Sequence, residues 1–185
     1  MEIVETELPG VLVIEPDVFG DSRGFFLETW NKKGYAACGV NDEFVQDNLS
    51  LSSRGVVRGL HYQMPFAQAK LVYVIQGEVQ DVVVDIRAGS PTFGEWFGTN
   101  LSGENKRQLY VPQGFAHGFS VLSETALFGY KCSDFYNKEA DSGIAWDDPD
   151  LRIDWKVAEP SLSVKDQALP RLKDVDASRL PVYEG

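Results

Sequence analysis

Short runs of β-branched and aromatic residues recur along most of this 185-residue chain. Glycine, proline, aspartate or asparagine interrupts them at intervals of about eight to twelve residues, a spacing typical of antiparallel sandwiches and barrels. The runs are too short for most helices and are rich in residues that favour strands. The chain is therefore predicted to be all-β, with strands near residues 11–14, 25–30, 44–45, 56–57, 70–75, 79–86, 95–98, 108–111, 118–122 and 126–130.

Helical signals are few and lie mainly towards the C-terminus. One candidate helix covers residues 31–38 and ends before Gly39, and a second covers 163–175 with an interruption at Pro170. Beyond about residue 149 the strand pattern fades while proline and charged residues increase. We expect one domain over residues 1–185, with a barrel at about 10–148 and a C-terminal appendage over 149–185 packed against it.

The chain is acidic, with a formal net charge of −11. This charge argues against binding to nucleic acid or to an anionic membrane, because both need a basic surface. No apolar run approaches the ~20 residues of a membrane span, and the first residues are acidic where a secretory signal would be basic. Cys38 and Cys132 lie far apart and are expected to be reduced thiols. These features together predict a cytoplasmic protein.

The two histidines of the chain each lie in a turn-rich, apolar segment. One segment is Val56-Val-Arg-Gly-Leu-His61 and the other is Val111-Pro-Gln-Gly-Phe-Ala-His117-Gly-Phe. Imidazole is the side chain best matched to proton transfer near neutral pH. Proton chemistry is therefore the leading hypothesis for function.

The turns at Gln76-Gly-Glu78 and Pro112-Gln-Gly-Phe-Ala-His117 each join two predicted strands, as the two motif blocks of a cupin jelly roll do. A metal-binding cupin presents a His-x-His pair, whereas this chain has His61-Tyr-Gln63. We therefore predict no metal site, with a carboxylate-assisted site of His61, His117 and Asp81 as the alternative.

Nine motifs follow one another in order between about residues 3 and 180. They are Asp21-Ser-Arg-Gly-Phe-Phe-Leu-Glu28, Gln46-Asp-Asn-Leu-Ser50, Arg58-Gly-Leu-His-Tyr-Gln63, Lys70, Val82-Val-Val-Asp-Ile-Arg87, Ser90-Pro-Thr-Phe-Gly94, Pro112-Gln-Gly-Phe-Ala-His-Gly-Phe119, Tyr130-Lys131 and Ser163-Val-Lys-Asp166. Together they resemble the motifs of the dTDP-4-dehydrorhamnose 3,5-epimerase family. The resemblance implies a cupin jelly roll that works as a homodimer in the cytoplasm without metal or other cofactor. It also implies a substrate, dTDP-4-dehydro-6-deoxy-D-glucose, on the route to dTDP-L-rhamnose.

The reaction implied by this resemblance needs acid and base groups on two faces of a sugar. Hydrogens on C3 and C5 of a 4-keto sugar are α to a carbonyl, so their removal leaves an enolate, and a proton returned to the opposite face inverts the carbon. By resemblance, His61 is the base and Tyr130 is the acid. Asp166 resembles the carboxylate that orients the imidazole, and Lys70 resembles the ammonium at the ketone oxygen.

His117 resembles the second active-site histidine of the family, and Asp81 resembles its carboxylate partner. An inward carboxylate on the valine-rich strand needs a hydrogen-bond donor, which His117 would supply. The alternative is a solvent-facing Asp81, because a shift of one residue in register reverses the side of a strand. For Asp166 the alternative is a plain charge in the first turn of a helix capped by Ser163.

The remaining resemblances concern a nucleotide pocket. The family is expected to complete this pocket with a segment of the partner chain, so the N-terminal region should cross a dimer interface. Asp141 stands where the family commonly has glutamate. By resemblance, the residues that contact the phosphates or the nucleotide are Arg23, Arg58 and Lys165, and those that contact thymine or deoxyribose are Glu28, Gln46 and Asn48. Phe19 and Phe26 resemble the walls of the pocket, Tyr136 resembles the ring that stacks on the base, and Asp141 resembles a polar contact.

Four alternatives stay open at this point. A C3-only epimerase and a ketoisomerase are relatives that would keep much of the same site. A metal-dependent cupin oxygenase and a non-catalytic sugar-nucleotide sensor belong to other classes. The missing His-x-His pair opposes the oxygenase, and a sensor has no need of both His61 and Tyr130.

Overall fold

A computed structural model describes residues 1–184. In that part of the chain it contains β1 Glu2–Glu5, β2 Leu12–Glu15, β3 Val18–Asp21, β4 Gly24–Leu27, α1 Lys32–Ala36, β5 Gln46–Ser53, β6 Val57–Gln63, β7 Lys70–Gln76, β8 Glu78–Asp85, β9 Trp96–Ser102, β10 Gln108–Val111, β11 Phe115–Val121, β12 Thr125–Cys132, β13 Asp141–Gly143 and α2 Val164–Gln167. Two short 3₁₀ helices follow at Leu172–Asp174 and Ala177–Arg179. No helix in residues 1–184 is long and apolar enough to cross a membrane.

Two antiparallel sheets form the body of the molecule. One has six strands in the order β1-β2-β10-β7-β12-β5, and the other has five in the order β13-β6-β11-β8-β9. The inner faces of the two sheets share one apolar core, in which Val72 and Phe128 of the first sheet pack with Val83 and Phe119 of the second. This layout is the sandwich expected from alternating apolar residues and confirms the predicted all-β class.

The outer face of the five-stranded sheet is also covered. Leu60, Val82 and Val84 pack there against Leu172 and Leu180 of the C-terminal segment. Strand β8 is consequently shielded on both faces, which explains why its run of valines does not alternate with polar residues. The C-terminal segment thus lies against the sheet that carries both histidines.

Several sequence-based expectations differ from the structure. The predicted helix over 163–175 is limited to α2 and a 3₁₀ turn, because Pro170 cannot continue a helix and Ala168 already leaves helical geometry. The predicted strand at 44–45 is wrong, because those residues lie in no strand, and β5 at Gln46–Ser53 was not predicted. Its sequence is largely polar because one face looks into a cavity and the strand lies at the edge of its sheet.

Strands β3 and β4 form a hairpin that pairs with neither large sheet. Its aromatic side chains are unusually accessible: Phe19, Phe25 and Phe26 are 65%, 60% and 68% exposed. The predicted strand at 25–30 therefore exists only in part and belongs to this separate hairpin.

The turn between β7 and β8 depends on Gly77. This residue has φ +84, and an added Cβ would lie 2.1 Å from the carbonyl oxygen of Thr125. Gly89 has nearly the same φ, +85, but an added Cβ would meet nothing within 4 Å. The two glycines therefore separate the cost of backbone conformation from the cost of a steric clash.

We predict that Gly89→Ala lowers the free energy of unfolding by about 1 kcal/mol, the cost of a left-handed backbone. Gly77→Ala should cost a further ~1–3 kcal/mol, because the sheet must also open to admit the methyl group. Urea unfolding of both variants measures the difference. Equal losses in the two variants would show that the close approach at Gly77 carries no cost.

Candidate active site

The two histidines lie side by side on neighbouring strands. His61 of β6 is the cross-strand partner of His117 of β11, and the register shifts just beyond that pair. The strands approach closely here because glycines face each other: a Cβ on Gly118 would lie 2.6 Å from the carbonyl oxygen of Arg58, and one on Gly59 would lie 2.6 Å from Gly118 Cα. The glycines beside both histidines therefore permit the pairing.

His61 is held by a carboxylate from the C-terminal segment. Its Nε2 lies 2.6 Å from Oδ1 of Asp166, whose side chain is only 4% exposed. Ser163 caps α2 by accepting a hydrogen bond from the Asp166 amide, which fixes the turn that presents the carboxylate. The carboxylate that contacts His61 thus comes from a residue 105 positions away along the chain.

The charge state of Asp166 sets the tautomer of His61. Burial by itself would raise the pKa of Asp166, but hydrogen bonds from His61 and Ser163, with the charge of His61, hold that pKa below its usual range. Asp166 is therefore ionised at neutral pH and can only accept hydrogen bonds. It follows that His61 Nε2 carries a proton and that, in the neutral form of the imidazole, the free electron pair is on Nδ1.

His117 has an equivalent carboxylate. Its Nε2 lies 2.9 and 3.0 Å from the two carboxylate oxygens of Asp81, which is fully buried. Burial raises the pKa of Asp81, although His117 and Lys70 act in the opposite direction. The alternative of a solvent-facing Asp81 is therefore wrong.

The cavity between the sheets has two lobes. We call them the Tyr136 lobe, about 190 Å³, and the Arg58 lobe, about 210 Å³. His61, Lys70 and Tyr130 line both lobes and so lie at their junction. The Tyr136 lobe is otherwise lined by Gln46, Asn48, Tyr62, Gln63, Gln68, Cys132, Tyr136, Asp141 and Lys165, and the Arg58 lobe by Ser50, Arg58, His117, Gly118, Phe119 and Phe128.

The imidazole and the phenol at the junction come from opposite sheets. His61 belongs to the five-stranded sheet, whereas Lys70 on β7 and Tyr130 on β12 belong to the six-stranded sheet. Burial raises the pKa of the Tyr130 phenol, with the Cys132 thiol adding to the shift, so the phenol keeps its proton at neutral pH. A ligand at the junction would have an imidazole on one side and a proton-bearing phenol on the other.

Burial has the opposite effect on Lys70. It lowers the pKa of the ammonium, while Cys132 and Asp81 act to raise it. Lys70 is partly buried at the junction, and a partly buried ammonium interacts more strongly than a fully solvated one with a charge that develops beside it. Lys70 is therefore suited to stabilise an oxyanion at the junction.

Polar groups at the mouth of the Tyr136 lobe are tied together. The Tyr136 amide donates to Oε1 of Gln46, and the Tyr136 hydroxyl donates to Asp141 at 3.0 Å. Lys165 forms an ion pair with the same carboxylate of Asp141. The exposed ring of Tyr136 is consequently held at the lobe entrance.

Four predicted substrate contacts lie outside both lobes of a single chain. Arg23, on the β3–β4 turn, has an 87% exposed side chain and pairs with Asp21. Glu28 follows the hairpin and accepts a hydrogen bond from Asn31. Phe19 and Phe26 are exposed on the hairpin itself. None of the four lines either lobe.

Sequence reasoning missed several residues of the cavity wall. Gln63 donates to the carbonyl oxygens of Phe66 and Phe135 and accepts from the Asn137 amide, so it fixes two loops at the Tyr136 lobe. Ser50 was also missed, although alternation along β5 puts it on the same face as Gln46 and Asn48. That alternation was the available signal.

Possible metal ligands do not cluster in this cavity. Among residues 1–184, no group of three His, Cys, Asp or Glu side chains is arranged to hold a metal ion. His61 and His117 each turn Nε2 towards a carboxylate of their own.

Comparison with known proteins agrees with the predicted family. Residues 5–174 match the family model for dTDP-4-dehydrorhamnose 3,5-epimerase. The chain is 56% identical to the dTDP-4-dehydrorhamnose 3,5-epimerase of Shigella flexneri over 178 residues, which cover 95% of this chain and 98% of the relative. The chain belongs to the dTDP-4-dehydrorhamnose 3,5-epimerase family.

Solved structures of relatives extend this result. The chain superimposes with a TM-score of 0.98, at 52% identity, on dTDP-6-deoxy-D-glucose-3,5-epimerase from Legionella pneumophila in complex with dTDP-4-keto-L-rhamnose, covering 100% of this chain and 99% of the other. A 3'-monoepimerase from Streptomyces bikiniensis, in complex with dTDP-quinovose, gives a TM-score of 0.90 at 33% identity, covering 96% and 92%. The family, the cupin-like fold and the enzyme class, an epimerase, are thus confirmed.

The buried pair of Asp166 and His61 predicts how stability depends on pH. Because the folded state lowers the pKa of Asp166, the stabilisation is present above the unfolded pKa near 4 and is lost as pH falls through the folded pKa. We predict that Asp166→Asn lowers the free energy of unfolding by about 1–3 kcal/mol at neutral pH.

This deficit should begin to shrink as the pH falls below about 4, where the carboxylate of the unfolded wild type takes up a proton, and should disappear once the pH has passed the lower pKa of the folded carboxylate. Urea unfolding of both proteins across that range measures it. Val164→Ala, at an 86% exposed position of the same helix, is the control variant. A deficit that does not change with pH would contradict the lowered pKa.

Proposed function

We propose that this chain converts dTDP-4-dehydro-6-deoxy-D-glucose to dTDP-4-dehydro-L-rhamnose by inverting C3 and C5, a step towards dTDP-L-rhamnose. The observation that carries the proposal is the junction of the two lobes, where His61, Lys70 and Tyr130 meet. These are the groups that an enolate mechanism needs, and they occur in a chain of the family that bears this activity in its name.

The first half of each inversion is proton removal. Nδ1 of His61 takes the hydrogen from the carbon next to the ketone, and the electron pair of that C–H bond becomes the enolate. The imidazole is then positively charged, and the ionised Asp166 at 2.6 Å stabilises it. Lys70 donates a hydrogen bond to the ketone oxygen as negative charge develops, an effect worth ~3–4 kcal/mol for a well-placed donor.

The second half is proton delivery from the other side. Tyr130 belongs to the opposite sheet, and its phenol holds a proton at neutral pH because burial raises its pKa. Transfer of that proton to the enolate carbon restores the ketone and leaves the hydrogen on the opposite face. His117, fixed by Asp81, lines the Arg58 lobe and serves as a polar contact for the sugar.

The nucleotide is proposed to occupy the Tyr136 lobe. The exposed ring of Tyr136 offers a stacking face for thymine, and Gln46 and Asn48 offer amides to the base or deoxyribose. Lys165 and Arg58 supply positive charge for the diphosphate, which an acidic protein must provide locally. Asp141 contributes by holding Lys165 and the Tyr136 hydroxyl.

A homodimer would bring in the remaining predicted contacts. The hairpin carries Arg23, Phe19 and Phe26, with Glu28 beside it, away from the cavity of its own chain. Its exposed aromatic rings suit a protein surface better than water. We propose that the hairpin crosses the interface and lines the partner's cavity.

We also propose a cytoplasmic location, which the two free thiols support.

Inversion at C3 alone is the second candidate. The chain is 33% identical to the Streptomyces bikiniensis 3'-monoepimerase, and superimposes on it with a TM-score of 0.90. The identities to 3,5-epimerases are higher, at 56% and 52% for the two relatives described above, and favour inversion at both carbons. Incorporation of solvent deuterium at C5 distinguishes inversion at both carbons from inversion at C3 alone.

We predict that the wild-type protein in deuterated water incorporates deuterium from solvent at both C3 and C5 of the substrate, measured by proton NMR. His61→Ala should abolish exchange at both carbons, because the base is lost. Tyr130→Phe should impair inversion by about 10²–10⁴-fold yet leave some exchange, since the proton can still leave and return on the His61 side. Tyr183→Phe, outside the cavity, is the control. Equal loss of exchange in the two site variants would contradict this division of roles.

Mixing two inactive variants tests whether the hairpin acts in the partner's site. His61→Ala and Arg23→Ala should each reduce activity strongly. After subunit exchange, half of the dimers are mixed and each has one intact site of two, so activity should recover to about a quarter of wild type. Assays of the mixture before and after exchange measure this. No recovery above the separate variants would mean that Arg23 serves its own chain or no site at all.

A further inference from the structure

The inner face of β5 presents a row of polar side chains to the cavity. Gln46, Asn48, Ser50 and Ser52 alternate with outward-facing residues, so all four point the same way. Gln46 donates to Asn48, Asn48 donates to the Cys132 sulfur, and Ser52 accepts from Arg58. Three members of the row are therefore already hydrogen-bonded within the protein.

Ser50 is the exception. Its Oγ is buried and has no hydrogen-bond partner, which is true of no other buried side-chain oxygen or nitrogen atom within residues 1–184. It lies beside its cross-strand neighbour Phe128, a fully buried ring that offers no hydrogen bond. A buried hydroxyl without a partner is costly, so its presence calls for an explanation such as a ligand.

The position of Ser50 indicates what kind of ligand atom it meets. Ser50 lines the Arg58 lobe together with the three junction residues of the proposed mechanism. The Arg58 guanidinium lies beside the same row, because its Nε donates to Ser52 at 3.0 Å. A hydroxyl and a guanidinium on one wall suit an electron-rich oxygen of the ligand.

We infer that the Ser50 hydroxyl binds an oxygen of the sugar nucleotide and helps to position it at the junction. The inference rests on the proposed function, which supplies the ligand. Such an oxygen belongs either to the diphosphate or to the hexose, and both chemistries satisfy the same hydroxyl. Binding to dTDP and to dTDP-glucose distinguishes them, since only the second carries a hexose and neither can react.

The experiment compares Ser50→Ala with the wild type and with Ser53→Ala, a control on the exposed face of the same strand. Isothermal titration measures affinity, and urea unfolding of the ligand-free proteins measures stability. Ser50→Ala should weaken binding about ten-fold, yet leave unfolding unchanged or shift its midpoint to higher urea, because no internal hydrogen bond is lost.

Weaker binding of both ligands assigns the oxygen to the diphosphate, and weaker binding of dTDP-glucose alone assigns it to the hexose. Unchanged affinity for both, or a clear loss of stability without ligand, would overturn the role of Ser50. If the wild type and Ser53→Ala bind neither ligand, the proposed function itself fails. The two failures are therefore distinguishable.

Discussion

The hydrogen bond between Asp166 and His61 is the contact on which the site depends. A buried carboxylate is stable there because the imidazole and the Ser163 hydroxyl group contribute to holding its pKa low. The ionised carboxylate in turn retains the Nε2 proton of His61 and leaves Nδ1 free to act as a base. One contact of 2.6 Å thus joins the C-terminal segment to the five-stranded sheet and determines which nitrogen of the imidazole is protonated.

The two-sheet architecture supplies the other half of the mechanism. A sandwich places side chains from two sheets on either side of a shared interior. Here one part of that interior is filled by the apolar core. The other part is the cavity, which His61 lines from one sheet and Tyr130 and Lys70 line from the other. Epimerisation needs groups on both faces of the sugar, and in the proposed mechanism the two sheets provide them.

Much of this could be predicted from the sequence, and the failures have physical causes. The strand pattern and the histidine segments were sufficient for the fold class, because buried strands carry β-branched residues. Strand β5 was missed since its inner face lines a polar cavity and its edge position relaxes the demand for apolar residues. Pairing of His61 with Asp166 spans 105 positions and was accessible only through family resemblance. The aromatic rings of the hairpin are exposed although their sequence resembles that of a buried strand, and no local pattern distinguishes the two cases.

The tautomer of His61 is the most direct test of this account. Nitrogen-15 NMR of histidine-labelled protein gives few signals, because the chain has two histidines, and a His117→Gln variant assigns them. The account predicts that in the neutral form of the imidazole the Nε2 signal of His61 is that of a protonated nitrogen and the Nδ1 signal that of a nitrogen with a free electron pair. A proton found on Nδ1, with Nε2 unprotonated, would contradict it.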